Sequence, residues 1–252
     1  MASIDPALSR GALAFALLSA LVAPWAIRAQ SGAKPLRFAV SIAIFLATMA
    51  LIAPLLALGA RARSLLSFVL VATMSVEFAA ILTQAARGTS SHFNTATRLD
   101  ASVWAIMVFC IVIAVVAMTV VAVVASIAPL SLREGPERAS LAFAVRAGLW
   151  IFLLSALSGF AMGGRGSHSI PHGSRDAATL AIVGWNRSRG DLRVSHFLSL
   201  HALQALPLVA LALSRLPLPR YALWTALVSA TALFTALPIY TFARALSGRA
   251  PW

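Results

Sequence analysis

Apolar residues in this chain come in seven long runs, each closed by a short cluster of basic or turn-forming residues. The pattern predicts membrane-crossing helices over about 9–28, 36–59, 65–86, 101–128, 140–162, 194–214 and 221–244. A bilayer core takes roughly 20 apolar helical residues to cross. Between Ala101 and Leu132 no charged residue interrupts the run at all. The reading is an all-α fold, a polytopic α-helical transmembrane bundle of about seven spans, forming a single domain over 1–252. The first run reads as a retained helix rather than a cleaved signal peptide. Arg10 is set against Asp5 in its N-region, and Arg28 interrupts the Ala-x-Ala cue. Pro24, Pro54, Pro207 and Pro238 fall inside spans, where kinks are expected.

Composition supports the same class. Hydrophobic residues make up 60% of the chain and charged ones 11%, too few to clothe a soluble domain. The formal charge is +13. The basic residues are scattered among short loops, with no basic helix and no zinc-finger or RNA-binding signature. They therefore point to anionic lipid headgroups as partner and not to nucleic acid. The one cysteine, Cys110, excludes a disulfide framework within the chain.

Counting crossings sorts the loops onto two faces. One face collects Arg10, Arg61, Arg63, Arg133, Arg138, Arg215 and Arg220. The other collects Arg28, Lys34, Arg37, Arg87, Arg98, Arg165, Arg175, Arg187, Arg189, Arg193, Arg244 and Arg249. The excess marks the second face as cytoplasmic, N-out and C-in. All five histidines (His92, His168, His172, His196 and His201) fall on or just inside that second face.

Candidate chemistry gathers there as well. Glu77 lies about nine residues before the end of the third span, roughly 13 Å deep at 1.5 Å per residue. A carboxylate inside a span is costly unless neutralised or partnered. Gln84 lies seven residues on and Thr73 one turn back, so the third helix carries a polar stripe for the interior. Before the sixth span, Asp191 or Ser195 suits a helix cap, with Arg193 orienting that end. His201 and Gln204 are three apart and share a face, whereas His196 sits about 140° around the helix from His201. By depth, Glu77, His201 and Gln204 fall in one layer. His92 and Asn94 follow in the loop after the third span.

The long fifth loop carries His168 and His172, with Pro171 arguing against a helix. Its apolar stretch from Ala177 to Trp185 is too short to span and reads as an interfacial or re-entrant lid. Its arginines also suit an anionic lipid or phosphate.

A Glu with several His suits a metal ion, the metal candidates being Glu77, His92, His168, His172, His196 and His201. Two histidines alone suit a haem, and Glu77 alone suits a proton. HExxH, Gly-x-Ser-x-Gly and P-loop motifs are absent, which argues against a zincin, a serine hydrolase of that class or an NTPase. The runs Gly190–Arg193, His196-Phe197 and Leu200–Pro207 resemble a stretch in a family of uncharacterised bacterial multi-pass inner-membrane proteins. The run Ser91–Asn94 is similar to a second one. The resemblance implies a bacterial inner (plasma) membrane protein and no particular activity. Three functions follow as expectations: a one-sided His/Glu site for metal, haem or proton with redox or lipid chemistry; a proton- or ion-coupled transporter or channel using Glu77; or a subunit packing on a membrane-protein partner or a second copy.

Overall fold

The computed structural model describes residues 4–135, 137–171, 179–180 and 183–251. Among them, seven helices are long and apolar enough to cross a membrane: α1 (Pro6–Arg28), α2 (Ala33–Ile52), α3 (Ala60–Ala86), α4 (Arg98–Ile127), α5 (Arg138–Arg165), α6 (Leu192–Ser214) and α7 (Arg220–Leu246). In hydrocarbon a backbone amide needs a partner within the chain, and a helix supplies one for nearly every residue. The chain is a polytopic helical membrane protein. Two short strands, β1 (Ser169–Ile170) and β2 (Gly190–Asp191), pair antiparallel. The chain divides into two compact units, Met1–Leu132 and Arg133–Trp252.

In the first unit α1 packs on α2 and α3, α2 on α3, and α3 on α4. Leu8, Leu46, Met49, Leu70, Ile81 and Met107 are fully buried in it. The apolar pattern extended the second span to about residue 59, but α2 stops at Ile52 and Ala53–Leu55 form a 3-10 turn. Pro54 is the cause. It has no amide to give to the carbonyl four residues back. That carbonyl, on Ala50, instead accepts the backbone amide of Asp5 at 3.0 Å. Asp5 in turn caps α1, its Oδ1 accepting the amides of Ala7 and Leu8, both at 3.0 Å.

The other end of α3 leads into the loop that carries His92. Gly88 adopts φ +68° there, and the Thr89 amide closes on the Gln84 carbonyl at 2.9 Å. This left-handed stop suits glycine because it has no Cβ to clash. Thr97 then caps α4, its Oγ1 accepting the Asp100 amide at 3.1 Å.

In the second unit α6 packs against both α5 and α7. Its core joins Ala144 and Ile151 of α5 to Ala202, Leu206 and Ala210 of α6 and Leu227 of α7. Small residues bring membrane helices close. Ser195 Oγ donates to the Pro238 carbonyl at 2.9 Å, stitching α6 to α7. Gly190 lets β2 lie against the end of α7, since a Cβ there would sit 2.2 Å from the Ala245 carbonyl oxygen.

Candidate functional site

Within the first unit, Thr73, Glu77 and Gln84 are all buried, so the polar stripe of α3 does face inward. Its members have separate duties. Thr73 Oγ1 donates to the Val69 carbonyl of its own helix at 2.8 Å. Gln84 Nε2 donates to Asp100 Oδ1 at 2.8 Å, and Arg87 donates to the same oxygen at 2.8 Å and also to Gln84 Oε1. Thr97 Oγ1 donates to Asp100 Oδ2 at 2.7 Å. Gln84 is thus part of a clamp fastening α3 to the start of α4. Glu77 is 6% exposed, and its Oε1 is buried with no hydrogen-bond partner among the described residues. Lys34 of α2 and Cys110 of α4 lie within reach of its charge.

His92 stands in the loop between α3 and α4. The Lys34 ammonium lies 3.1 Å from its Nδ1, and Ser91 Oγ lies 3.1 Å from the same nitrogen. An ammonium has donors only, so Nδ1 must accept and the ring proton sits on Nε2. Three aromatic rings surround the imidazole: Phe38 at 5.6 Å, Phe93 at 5.9 Å and Trp104 at 5.6 Å between centroids. Lys34 also lies 6.0 Å from the Phe38 ring centroid. Phe93 has φ +59°, an unusual conformation for a bulky side chain, and its ring packs edge-on against Trp104 at 5.0 Å. Asn94 shapes the same loop: its Nδ2 donates to the Ser90 carbonyl at 3.0 Å and its Oδ1 accepts the Ala96 amide at 3.1 Å.

In the second unit Asp191 caps α6, its Oδ1 accepting the Arg193 amide at 3.0 Å. The fully buried carboxylate also accepts from the Arg193 guanidinium at 2.6 Å and from the Asn186 amide at 2.9 Å. Burial pushes the Asp191 carboxyl up, but the hydrogen bonds and charge of Arg193, with the amides of Asn186 and Arg193, outweigh it and hold it below the usual carboxylate range. Arg193 further donates to the Gly184 carbonyl at 2.6 Å. His168 Nδ1 stands 3.9 Å from Asp191 Oδ1 and 2.9 Å from Ser169 Oγ.

His196 and His201 occupy different flanks of α6. His196 Nδ1 lies 2.9 Å from the Ser155 carbonyl of α5. A carbonyl can only accept, so Nδ1 bears the proton and, in the neutral ring, Nε2 keeps the lone pair. His201 lies beside Gln204 one turn on and packs on Phe197 at 4.1 Å between centroids. Trp185 packs on Phe197 in turn, at 5.2 Å. The Leu180 amide donates to the Trp185 carbonyl at 2.9 Å.

The expected residues therefore gather within units: Glu77, Gln84, His92 and Asn94 in the first, and His168, Asp191, Arg193, His196, His201 and Gln204 in the second. His172 and much of 177–185 lie outside the described residues. Among the described residues no three His, Cys, Asp or Glu side chains are placed to hold a metal ion. Lys34, Phe38 and Trp104 were not anticipated. The one sequence signal for Lys34 is that it is the only lysine in the chain. No protein-family model, curated protein or solved structure matches this chain.

Proposed function

We propose that this chain is a proton-coupled membrane protein of the transporter or channel kind, with Glu77 as the group that carries the proton. The observation that supports this most directly is the buried Glu77 Oε1, without a hydrogen-bond partner among the described residues in the middle of a span. Intramembrane acids are costly and mark proton or ion pathways. A proton needs one base, whereas a metal ion needs several converging ligands. We place the protein in a bacterial inner membrane, on the resemblance of its α6 run, and orient the Lys34 end of the first unit to the cytoplasm on the excess of basic residues there.

The test is proton flux into liposomes that contain the purified protein and a pH-sensitive dye. Under an imposed gradient the wild type should discharge the vesicles faster than empty ones, and Glu77→Gln should return them to the empty rate. A wild type no faster than empty vesicles, or an unaffected Glu77→Gln, overturns the reading.

A second reading rests on His196. Donating Nδ1–H to a backbone carbonyl is the orientation that metal-bound histidines adopt, leaving Nε2 for the metal. A haem needs only one or two such ligands. Purification with a Soret band that His196→Ala abolishes would decide for haem, and colourless protein after growth with excess haem would decide against it.

A further inference from the structure

We propose that the junction of β1, β2 and the end of α7 is a site for one anionic phospholipid, whose phosphate is held by Arg189 and Arg249. The proposal does not depend on Glu77.

The backbone carries those two arginines to one place. β2 lies on the end of α7 at Gly190, where a Cβ would sit 2.2 Å from the Ala245 carbonyl oxygen. β1 pairs with β2, Ile170 opposite Gly190. The Ile170 carbonyl oxygen in turn stands 3.7 Å from where a Cβ of Gly248 would be. Gly248 has φ +74° and closes α7, its amide donating to the Ala245 carbonyl at 3.0 Å. Gly190, Ile170, Ala245 and Gly248 thus form one tight knot of backbone. Arg189 precedes one of its glycines and Arg249 follows the other. Both are exposed. Their amides are fixed, Arg189 donating to Asn186 Oδ1 at 3.1 Å and Arg249 to the Arg244 carbonyl at 3.0 Å.

Two guanidinium groups set this close repel unless an anion joins them. Among the described residues the acidic side chain at this end of the second unit is Asp191, which is fully buried and held by Arg193 at 2.6 Å. Glu134 and Glu137 lie at the far end of α5, roughly 42 Å along the helix at 1.5 Å per residue. Arg244 adds to the positive field, its Nε donating to the Ala250 carbonyl at 2.9 Å and its guanidinium lying 5.8 Å from the Tyr240 ring centroid. A phosphate supplies the missing charge, and its oxygens match the arginine fork.

The surface of α7 below the knot says which phosphate. Tyr240, one turn before Arg244, is exposed, as are Leu237 and Ile239. Tyrosine and arginine at the end of a membrane helix mark headgroup depth. The apolar positions beneath them offer an acyl chain its own contact, which a free phosphate would leave unused.

The test follows the unfolding midpoint of the full chain in maltoside micelles as dioleoyl phosphatidylglycerol is added. The wild-type midpoint should rise and saturate, and dioleoyl phosphatidylcholine should not raise it. In Arg189→Gln/Arg249→Gln the apparent Kd should rise about thirtyfold, at about fivefold for each arginine near an anionic surface. Arg28→Gln/Arg98→Gln removes the same charge from exposed positions of the first unit and should bind as the wild type does. Native mass spectrometry, which does not depend on stability, should show a phosphatidylglycerol retained by the wild type and lost from the first double variant. Equal weakening in the two double variants reduces the effect to net charge and overturns the site. A midpoint raised as far by inorganic phosphate at matched ionic strength assigns the knot to a free anion and overturns the lipid. A wild type indifferent to phosphatidylglycerol overturns the proposal outright.

Discussion

Ser67 on α3 donates its hydroxyl to the Asp5 carboxylate at 2.9 Å, joining residues 62 positions apart at a buried site. The same carboxylate caps α1 and the same residue's amide fills the carbonyl left bare by Pro54. Three helices therefore meet at one residue, α1 and α3 through its side chain and α2 through its amide. Asp5→Ala should lose the cap and leave the Ser67 hydroxyl only the Arg63 carbonyl of its own helix, 3.0 Å away, as acceptor. Loss of such a cap costs about 0.5–2 kcal/mol. Thermal unfolding in detergent should show a lower midpoint, and Asp5→Asn, which still caps, should recover most of it.

Glu77→Leu sets stability against function. Leucine removes a buried polar oxygen without a hydrogen-bond partner among the described residues and fills a similar volume. A buried polar atom without a hydrogen bond costs about 1–3 kcal/mol, which an apolar side chain of similar shape relieves. The variant should unfold no earlier than wild type, and later if packing is good, while proton flux is lost. A marked fall in its unfolding midpoint would show that the acid serves packing instead.

The Asp191 latch should respond to acid in a defined direction. Its carboxyl is held below its ordinary value, so the stability it lends is fully present above about 3.9, the unfolded carboxyl's pKa, and is lost as pH falls through the lowered value. Hydrogen exchange at the Asn186 amide, which donates to Asp191, should stay slow through neutral and mildly acidic pH and accelerate only below about 4. In Arg193→Ala burial is left to dominate, so the release should move to higher pH. An unchanged release point in that variant would place the latch elsewhere.

The seven crossings were legible because hydrophobic runs of bilayer length carry their own signal. The Asp191 cap and the His201–Gln204 contact were legible for a similar reason, being local and fixed by helix geometry. Pro54 was visible but its effect was not: the run to residue 59 reads as one span until Asp5 is seen supplying the missing amide. Lys34 and His92 meet across 58 residues, a contact no local pattern encodes. Phe38 and Trp104 read only as apolar positions, because nothing in periodicity distinguishes a ring facing lipid from one facing an imidazole. Asp5 read as a counter-charge to Arg10, since its cap, its Ser67 partner and the Ala50 carbonyl come together only on folding.

Lys34 is the sole lysine of the chain, and Cys110 its sole cysteine. The first unit therefore holds a unique ε-amine against His92 and a unique thiol near Glu77. A fluorine-bearing amine reagent and a thiol-directed spectroscopic tag would each address one side chain of the wild-type sequence, with no background substitutions to introduce. Two separate places in the first unit can thus be labelled by orthogonal chemistry in a single unmutated preparation.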